Sequence, residues 1–286
     1  MPKVSVIVPN YRHAPYLTWR IDTVLNQTYR DFDLLILDDA SPDHSREVIE
    51  RYRGRKALRI HYSDTNSGSV FHQWESGVRM TDSDYVWIAE SDDWAEPEFL
   101  ARLVPVLDAH PEVGIAYCQS WIADQESKVT GHASCWTDDL DAARWKSDFV
   151  ASGREEIVRF LLTKNTIPNA SAVLQRRSVL AKVRPIDASF RLCGDWMHWI
   201  RMLAEADVAF VAENLNFWRL RSSNVRTAPP GVLEWQEGER VLCWACDRLG
   251  IDEAGRNRVL LAFLRRCWQW QREYLEALPA EARLQG

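Results

Sequence analysis

Positive charge is in short supply in this chain. Its 286 residues carry 35 Lys and Arg against 41 Asp and Glu, a formal charge of −6, which argues against non-specific binding to nucleic acid. Long apolar runs are missing too. Stretches such as Val259-Leu260-Leu261-Ala262-Phe263-Leu264 fall far short of the roughly 20 residues that a bilayer core requires. The opening, Met1-Pro2-Lys3-Val4-Ser5-Val6-Ile7-Val8-Pro9, runs directly into a strand pattern without a signal peptide's apolar region and small-residue cleavage site. A cytoplasmic protein is expected. Cysteine supplies no framework either: the six residues read as free thiols in such a compartment. Cys243 and Cys246 have CxxC spacing, but no second pair or nearby His completes a zinc set, so core thiols are expected. No long internal repeat or low-complexity segment is visible.

What is present is strand–helix alternation. Apolar strands are predicted at 4–8, 33–37, 58–62, 85–89 and 114–118, with helices at 15–27, from a Ser41 N-cap to about Tyr52, from Ser67-Gly68-Ser69 to about Met80, and at 97–107. Short turns between them imply a parallel sheet covered on both faces. Residues 121–148 are irregular and read as an excursion over the active face. A helix at 154–162, a strand at 170–175, a helix at 194–206 and a short strand at 208–211 follow. Ala228-Pro229-Pro230-Gly231 looks like a boundary. Beyond it, 232–249 and 253–278 read as two amphipathic helices suited to capping the sheet, pairing with another subunit or resting on a membrane surface, capping being the default.

Two acidic clusters end apolar strands: Asp38-Asp39 and Glu90-Ser91-Asp92-Asp93. Carboxyl ends of parallel strands open on the crevice where α/β sheets bind ligands. Two acidic strand ends would repel an anion unless one accepts hydrogen bonds from a base or ribose and the other holds a hard divalent cation. That pairing suits a nucleoside diphosphate. A nucleotidylyltransferase would need a Gly-rich basic loop after the first strand, and Pro9-Asn10-Tyr11-Arg12-His13-Ala14 has no glycine. Pro9-Asn10 argues against a phosphatase with an Asp nucleophile at that strand end.

The motifs resemble those of family 2 glycosyltransferases with the GT-A fold. Val4-Ser5-Val6-Ile7-Val8-Pro9-Asn10-Tyr11 is similar to the family's opening strand, and Leu37-Asp38-Asp39-Ala40-Ser41-Pro42-Asp43 to its V-D-D-G-S-x-D. Asn66-Ser67-Gly68-Ser69 resembles the turn after the third strand, Glu90-Ser91-Asp92-Asp93 the D-x-D-D signature, and Cys193-Gly194-Asp195-Trp196 the later E-D-W/Y block. In family order they cover roughly residues 3–226. The resemblance implies an α/β, GT-A-type nucleotide-binding fold with a central, mostly parallel sheet flanked by helices. It divides the chain into 1–228 (a nucleotide-sugar half, 1–120, and an acceptor half, 121–228) and a C-terminal helical extension, 229–286.

The resemblance further implies an inverting transfer from a UDP- or dTDP-sugar to a hydroxyl of a cell-surface polysaccharide or related glycan, with Mg²⁺ or Mn²⁺. Asp195 is then the general base. Asp93 ligates the metal, with Ser91 and Asp92 against ribose and donor sugar. Pro9, Asn10, Tyr11, Asn66 and Gly68 line the nucleotide pocket, and Asp39 accepts from a uracil or thymine N–H. Trp94, Asn169 and Trp196 are sugar-contact candidates, and His72 is placed in the same crevice. One departure stands out. Arg221 occupies the position where the family often has a His. Arg cannot ligate a cation but can fork onto phosphate oxygens, so Arg221, with Arg219 and Arg226, is expected to neutralise the diphosphate and weaken the metal requirement. A glycan or lipid-linked acceptor is implied, with peripheral contact at the inner membrane face or a homo-oligomer formed through the C-terminal helices. The alternative is a catalytically inactive nucleotide-sugar-binding or partner module.

Overall fold

The computed structural model describes residues 1–220 and 231–277. The alternating first half forms as expected: β1 (Val4–Asn10), α1 (Ala14–Leu25), β2 (Phe32–Asp38), α2 (Ser45–Glu50), β3 (Leu58–Tyr62), α3 (Val70–Arg79) and β4 (Tyr85–Ile88). β3, β2, β1 and β4 lie side by side, all parallel. Strand alternation sorts their apolar side chains. Val4, Val6, Val8, Leu34, Ile36 and Trp87 enter one core layer, under α1, α2 and α4 (Phe99–Ala109). Ile7, Leu35, Leu37, Val86 and Ile88 enter the other, with α3 and the later helices.

Past β4 the sheet becomes mixed. The order continues through β9 (Val173–Arg176), β6 (Val113–Ala123), β10 (Asp207–Arg219) and the two-residue β5 (Trp94–Ala95). β9 runs antiparallel to both neighbours, whereas β6 and β10 are parallel. Two short strands, β7 (Val129–His132) and β8 (Phe149–Ala151), pair with β6 and β10 and give the 121–148 excursion a hairpin root. β10 is far longer than the apolar Val208–Val211 suggested. Its polar half, Glu213 to Asn216, pairs across register shifts, so a strict period-two pattern is hidden there.

Three local expectations change. α2 starts at Ser45, not after Ser41, because Ser41 is used elsewhere: its Oγ accepts from Asn10 Nδ2 and from the Arg12 amide. The Asp43 carboxylate instead accepts from the Ser45 amide at 3.1 Å and the Ala14 amide at 3.1 Å, serving the starts of two helices. The 154–162 helix is a single α turn, α5 (Gly153–Glu156), that widens into a π turn over Ile157–Leu161. A helix that the pattern did not announce, α6 (Arg177–Val183), follows β9 directly.

The last helices are α7 (Gly194–Leu203), α8 (Val232–Leu249) and α9 (Glu253–Ala277). Val241, Leu242, Ala245 and Cys246 of α8, and Phe263 and Cys267 of α9, join the core layer that also holds Trp196, Trp199 and Ile200 of α7. The C-terminal pair therefore packs onto that layer of the core. Cys246 is buried among these side chains and all six cysteines are free thiols. Among the described residues no helix is long and apolar enough to cross a membrane.

Candidate active site

The acidic strand ends meet on one rim. β2 and β4 flank β1, so the turns that leave them stand about 10 Å apart, two interstrand spacings. Asn10 at the end of β1 pairs in register with Asp38, and its Nδ2 donates to Asp38 Oδ1 at 2.7 Å. The other Asp38 oxygen accepts from the Ser41 amide at 3.1 Å. Of the two adjacent carboxylates, Asp38 therefore braces the turn. Asn10 is tied into that brace and buried, Pro9 lies within buried β1, and Tyr11 stands 40% exposed at the lip.

Asp39 is 3% exposed and already well supplied with donors. Ser67 gives its amide and, at 2.7 Å, its hydroxyl; Asn66 Nδ2 donates at 3.0 Å and Gln73 Nε2 at 2.7 Å. The Asn66 turn is closed by its own Oδ1, which accepts from the Gly68 amide, and Gly68 takes φ +71°, a left-handed conformation that glycine adopts without a Cβ penalty. His72, on the first turn of α3, is exposed.

After β4 the four residues of the acidic turn divide by environment. Ser91 is buried, its Oγ 2.7 Å from His13 Nδ1. Asp93 is 3% exposed with both oxygens engaged. Oδ2 accepts from Asn169 Nδ2 at 2.8 Å and Ser171 Oγ at 2.7 Å, and Oδ1 from the Arg219 amide at 2.8 Å. Glu90 accepts from Trp74 Nε1 at 2.6 Å. Burial, then the neighbouring Asp92 carboxylate, pushes Glu90 up to about 8 and Asp93 up to about 6. Asp92 itself is half-buried. The buried Arg20 guanidinium favours ionisation of both raised carboxyls, and its Nε donates to the Glu90 carbonyl at 2.8 Å.

This carboxylate cluster fits a divalent cation of the Mg²⁺ type. Its members repel one another, and a cation would relieve that. Among the described residues no group of three His, Cys, Asp or Glu is arranged to enclose a metal.

Asp195 opens α7 and is 7% exposed. Oδ1 accepts from the Trp196 amide at 2.8 Å and Oδ2 from Asn165 Nδ2 at 3.2 Å. Asn165 and Asn169 belong to one short segment. Four residue steps span at most about 14 Å, so the backbone positions whose side chains hold Asp195 and Asp93 are spaced by no more than that. α3 supplies a second link. Within its first two turns Gln73 binds Asp39, Trp74 binds Glu90, and Phe71 lies against Gly194, where an added Cβ would stand 2.5 Å from the ring. Asp39, the acidic turn and Asp195 are thus tied together through α3 and the 165–171 segment.

Several expected contacts are reassigned by packing. Trp94 is buried and stacks on Trp19 at 4.9 Å and Phe217 at 4.7 Å. Trp196 is buried with its Nε1 donating to the Leu161 carbonyl. Both are core rings rather than sugar platforms. Asn169 spends its amide on Asp93 and accepts from Asn216. Arg219 is 1% exposed, and its guanidinium donates to the Asp92, Asp124 and Gln125 carbonyls, so it braces the acidic turn instead of facing phosphate. Arg221 and Arg226 lie outside the described residues. The sequence reading missed Gln73, Trp74, Asn165 and Ser171. Gln73, Trp74 and Ser171 are ordinary residues on elements seen for other reasons and Asn165 lies in a loop, and only a distant partner marks each.

The profile described as Glycosyl transferase family 2 matches residues 5–184, which stops short of Asp195. An uncharacterized glycosyltransferase of Nostoc sp., alr2836, is 28% identical over 244 residues, covering 83% of this chain and 70% of that one. The poly(ribitol-phosphate) beta-N-acetylglucosaminyltransferase TarP of Staphylococcus aureus is 37% identical over 97 residues, 32% of this chain but only 29% of TarP. Among solved structures, S. aureus TarS 1-349 in complex with UDP-GlcNAc superposes with a TM-score of 0.73 at 17% identity, covering 98% of this chain and 77% of that one. The mannosyltransferase PcManGT of Pyrobaculum calidifontis, in complex with GDP-Man and Mn²⁺, gives 0.63 at 17% identity, over 99% and 78%. At such identities these two speak for the fold, which is GT-A. With acidic turns at neighbouring strand ends of that fold and a profile match over more than half its length, this chain belongs to glycosyltransferase family 2 and is a glycosyltransferase.

Proposed function

We propose that the chain is an inverting glycosyltransferase that moves a sugar from a UDP- or dTDP-sugar to a hydroxyl of a cell-surface polysaccharide or related glycan. The observation that carries this reading is the 165–171 segment, which holds Asp195 through Asn165 and the acidic turn through Asn169 and Ser171. Base and leaving-group sides are thereby built into one frame. The acceptor oxygen attacks the anomeric carbon, its proton passes to Asp195, and the bond to the diphosphate oxygen breaks on the opposite face.

Asp92 replaces Asp93 in our assignment of the metal carboxylate, because Asp92 is half-buried whereas Asp93 is 3% exposed. A divalent cation bound there supplies neutralisation of the departing diphosphate. Arg221 is retained as a proposed phosphate partner. Tyr11 at the lip flanks the base, and an imide N–H takes the place of Asn66 or Ser67 on Asp39, both of which are exposed. The UDP and UDP-GlcNAc complexes of TarS support a uridine donor. A membrane-proximal acceptor is supported by α9. Its exposed Leu261, Leu264 and Trp268 lie beside exposed Arg258, Arg265 and Arg272, an apolar stripe with a basic margin suited to an anionic bilayer.

The deciding experiment has two arms. Thermal shifts with UDP, dTDP, GDP and CMP, each with and without Mn²⁺, should favour UDP or dTDP; a preference for CMP, whose cytosine has no N3–H, contradicts the base assignment. Nucleoside diphosphate release from a nucleotide-sugar panel should then fall by about a hundred- to ten-thousand-fold in Asp195→Asn, with nucleotide affinity retained. Wild-type turnover in that variant refutes the mechanism.

A further inference from the structure

The C-terminal helices do more than cover the sheet. Glu237 of α8 is 2% exposed, and its carboxylate accepts three consecutive backbone amides. The amide of Arg191 donates at 2.8 Å, and those of Leu192 and Cys193 at 2.9 Å each. Cys193 is the N-cap of α7, and Asp195 is the second residue of that helix. One buried carboxylate therefore pins the turn that leads into the helix carrying Asp195, as far as its N-cap. Arg240, one turn further along α8, grips the same segment. Its NH2 donates to Ser189 Oγ at 2.8 Å, and its guanidinium lies 4.1 Å from the Phe190 ring centroid. α8 is itself fixed from behind by α9: a Cβ at Gly238 would stand 2.3 Å from the Phe263 ring. On the far side Phe71 packs against Gly194. The turn before Asp195 is thus held between α8 and α3.

We propose that Glu237 is a positioning residue for the transfer reaction: through the amides of residues 191–193 it sets the placement of Asp195 against the acceptor, which makes the C-terminal extension part of the catalytic unit. This rests on the assignment of Asp195 as general base. Charge-assisted bonds from three amides to one carboxylate are strong, and the arrangement needs both oxygens. Glu237→Gln keeps one acceptor oxygen and turns an NH2 toward the remaining donors, so at least one amide loses its partner.

The test uses the full chain and three readouts. In Glu237→Gln the amides of residues 191–193 should exchange with solvent faster than in wild type. The dissociation constant for UDP should stay within about two-fold. Turnover on the nucleotide-sugar panel should fall about ten- to a hundred-fold, the penalty for a catalytic group displaced by an ångström. Unaltered exchange at 191–193 overturns the clamp, and faster exchange with turnover within two-fold of wild type overturns its catalytic role. A parallel loss of UDP affinity and turnover also overturns it, because that is general unfolding. Should Glu237→Gln fail to fold, Arg240→Ala, at a half-exposed position on the same strap, is expected to raise exchange and lower turnover several-fold, and silence in both overturns the proposal. Asp195→Asn is run alongside. If that variant keeps wild-type turnover, the base assignment is what has failed, and the exchange data still judge the clamp independently.

Discussion

His198, one turn after Asp195 on α7, gives the most direct energetic test of the packing behind the crevice. It is 2% exposed, wedged against Trp74 and Trp199. Nε2 lies 2.7 Å from Gln175 Oε1 and so carries the proton of a neutral ring, while Nδ1 is buried with no partner among the described residues. Protonation would place a charge and an unsatisfied N–H in that layer. Burial, followed by repulsion from Arg201, therefore lowers the group from 6.5 to about 3. The sign follows from linkage. The unfolded imidazole binds a proton below about 6.5 and the folded one does not, so stability is present above the unfolded value and drains away as pH falls toward the folded one. Between pH 7 and pH 5 the loss is about 2 kcal/mol, or about 3 °C in Tm for a chain of this size. His198→Gln keeps a donor toward Gln175 and cannot be charged. Melting wild type and variant from pH 7.5 to pH 5 should show the wild-type curve falling about 3 °C further across that range. Parallel curves would mean that the imidazole takes up its proton inside the fold, and the account of this layer would be wrong.

Other outcomes follow from the site and its supports. Asp92→Asn should abolish the stimulation of turnover by Mn²⁺, whereas Asp93→Asn, which turns an amide toward its donors, should cost about 1–3 kcal/mol in denaturant unfolding; stimulation kept in Asp92→Asn and lost in Asp93→Asn returns the metal to Asp93. Ala40 stands in a left-handed conformation at φ +55°, in the position where the family pattern has glycine. Ala40→Gly should stabilise by about 0.5–1 kcal/mol, the left-handed penalty less the entropy that glycine gains on unfolding. Gly194→Ala drives a methyl into the Phe71 ring and should cost about 1–3 kcal/mol, with turnover falling beyond what the loss of folded protein explains. Liposome co-sedimentation should favour anionic over neutral vesicles and weaken in Trp268→Ala; equal binding to both vesicle types counts against α9 as the contact.

How much of this was legible beforehand depends on how local the cause is. β1 to β4 and their helices follow from apolar runs and turn residues, because strands such as β1, β2 and β4, buried on both faces, need little beyond their own side chains to be recognised. The C-terminal helices were also readable, from period and length. The acidic strand ends announced the crevice, since two carboxylate clusters at the ends of parallel strands have few other uses. The reach of β10 was not readable, because its polar half takes its strand conformation from β6 across register shifts. Nor were the fates of neighbouring side chains. Asp38 and Asp39 differ only in what approaches them, Asn10 and Ser41 in one case and Asn66, Ser67 and Gln73 in the other. The same holds for Asp92 and Asp93, and for Trp94 and Trp196, whose aromatic bulk serves a core as readily as a sugar.

The amino-acid order by itself determined the α/β class, the positions of the acidic turns and the family pattern, because these rest on side chains acting within their own element. Which carboxylate is spent inside the molecule, which ring is buried, and the reach of Glu237 across to the amides before Asp195 were decided only by tertiary structure. Those outcomes hang on donors brought from 28 to 126 residues away, and no local pattern encodes a partner at that distance.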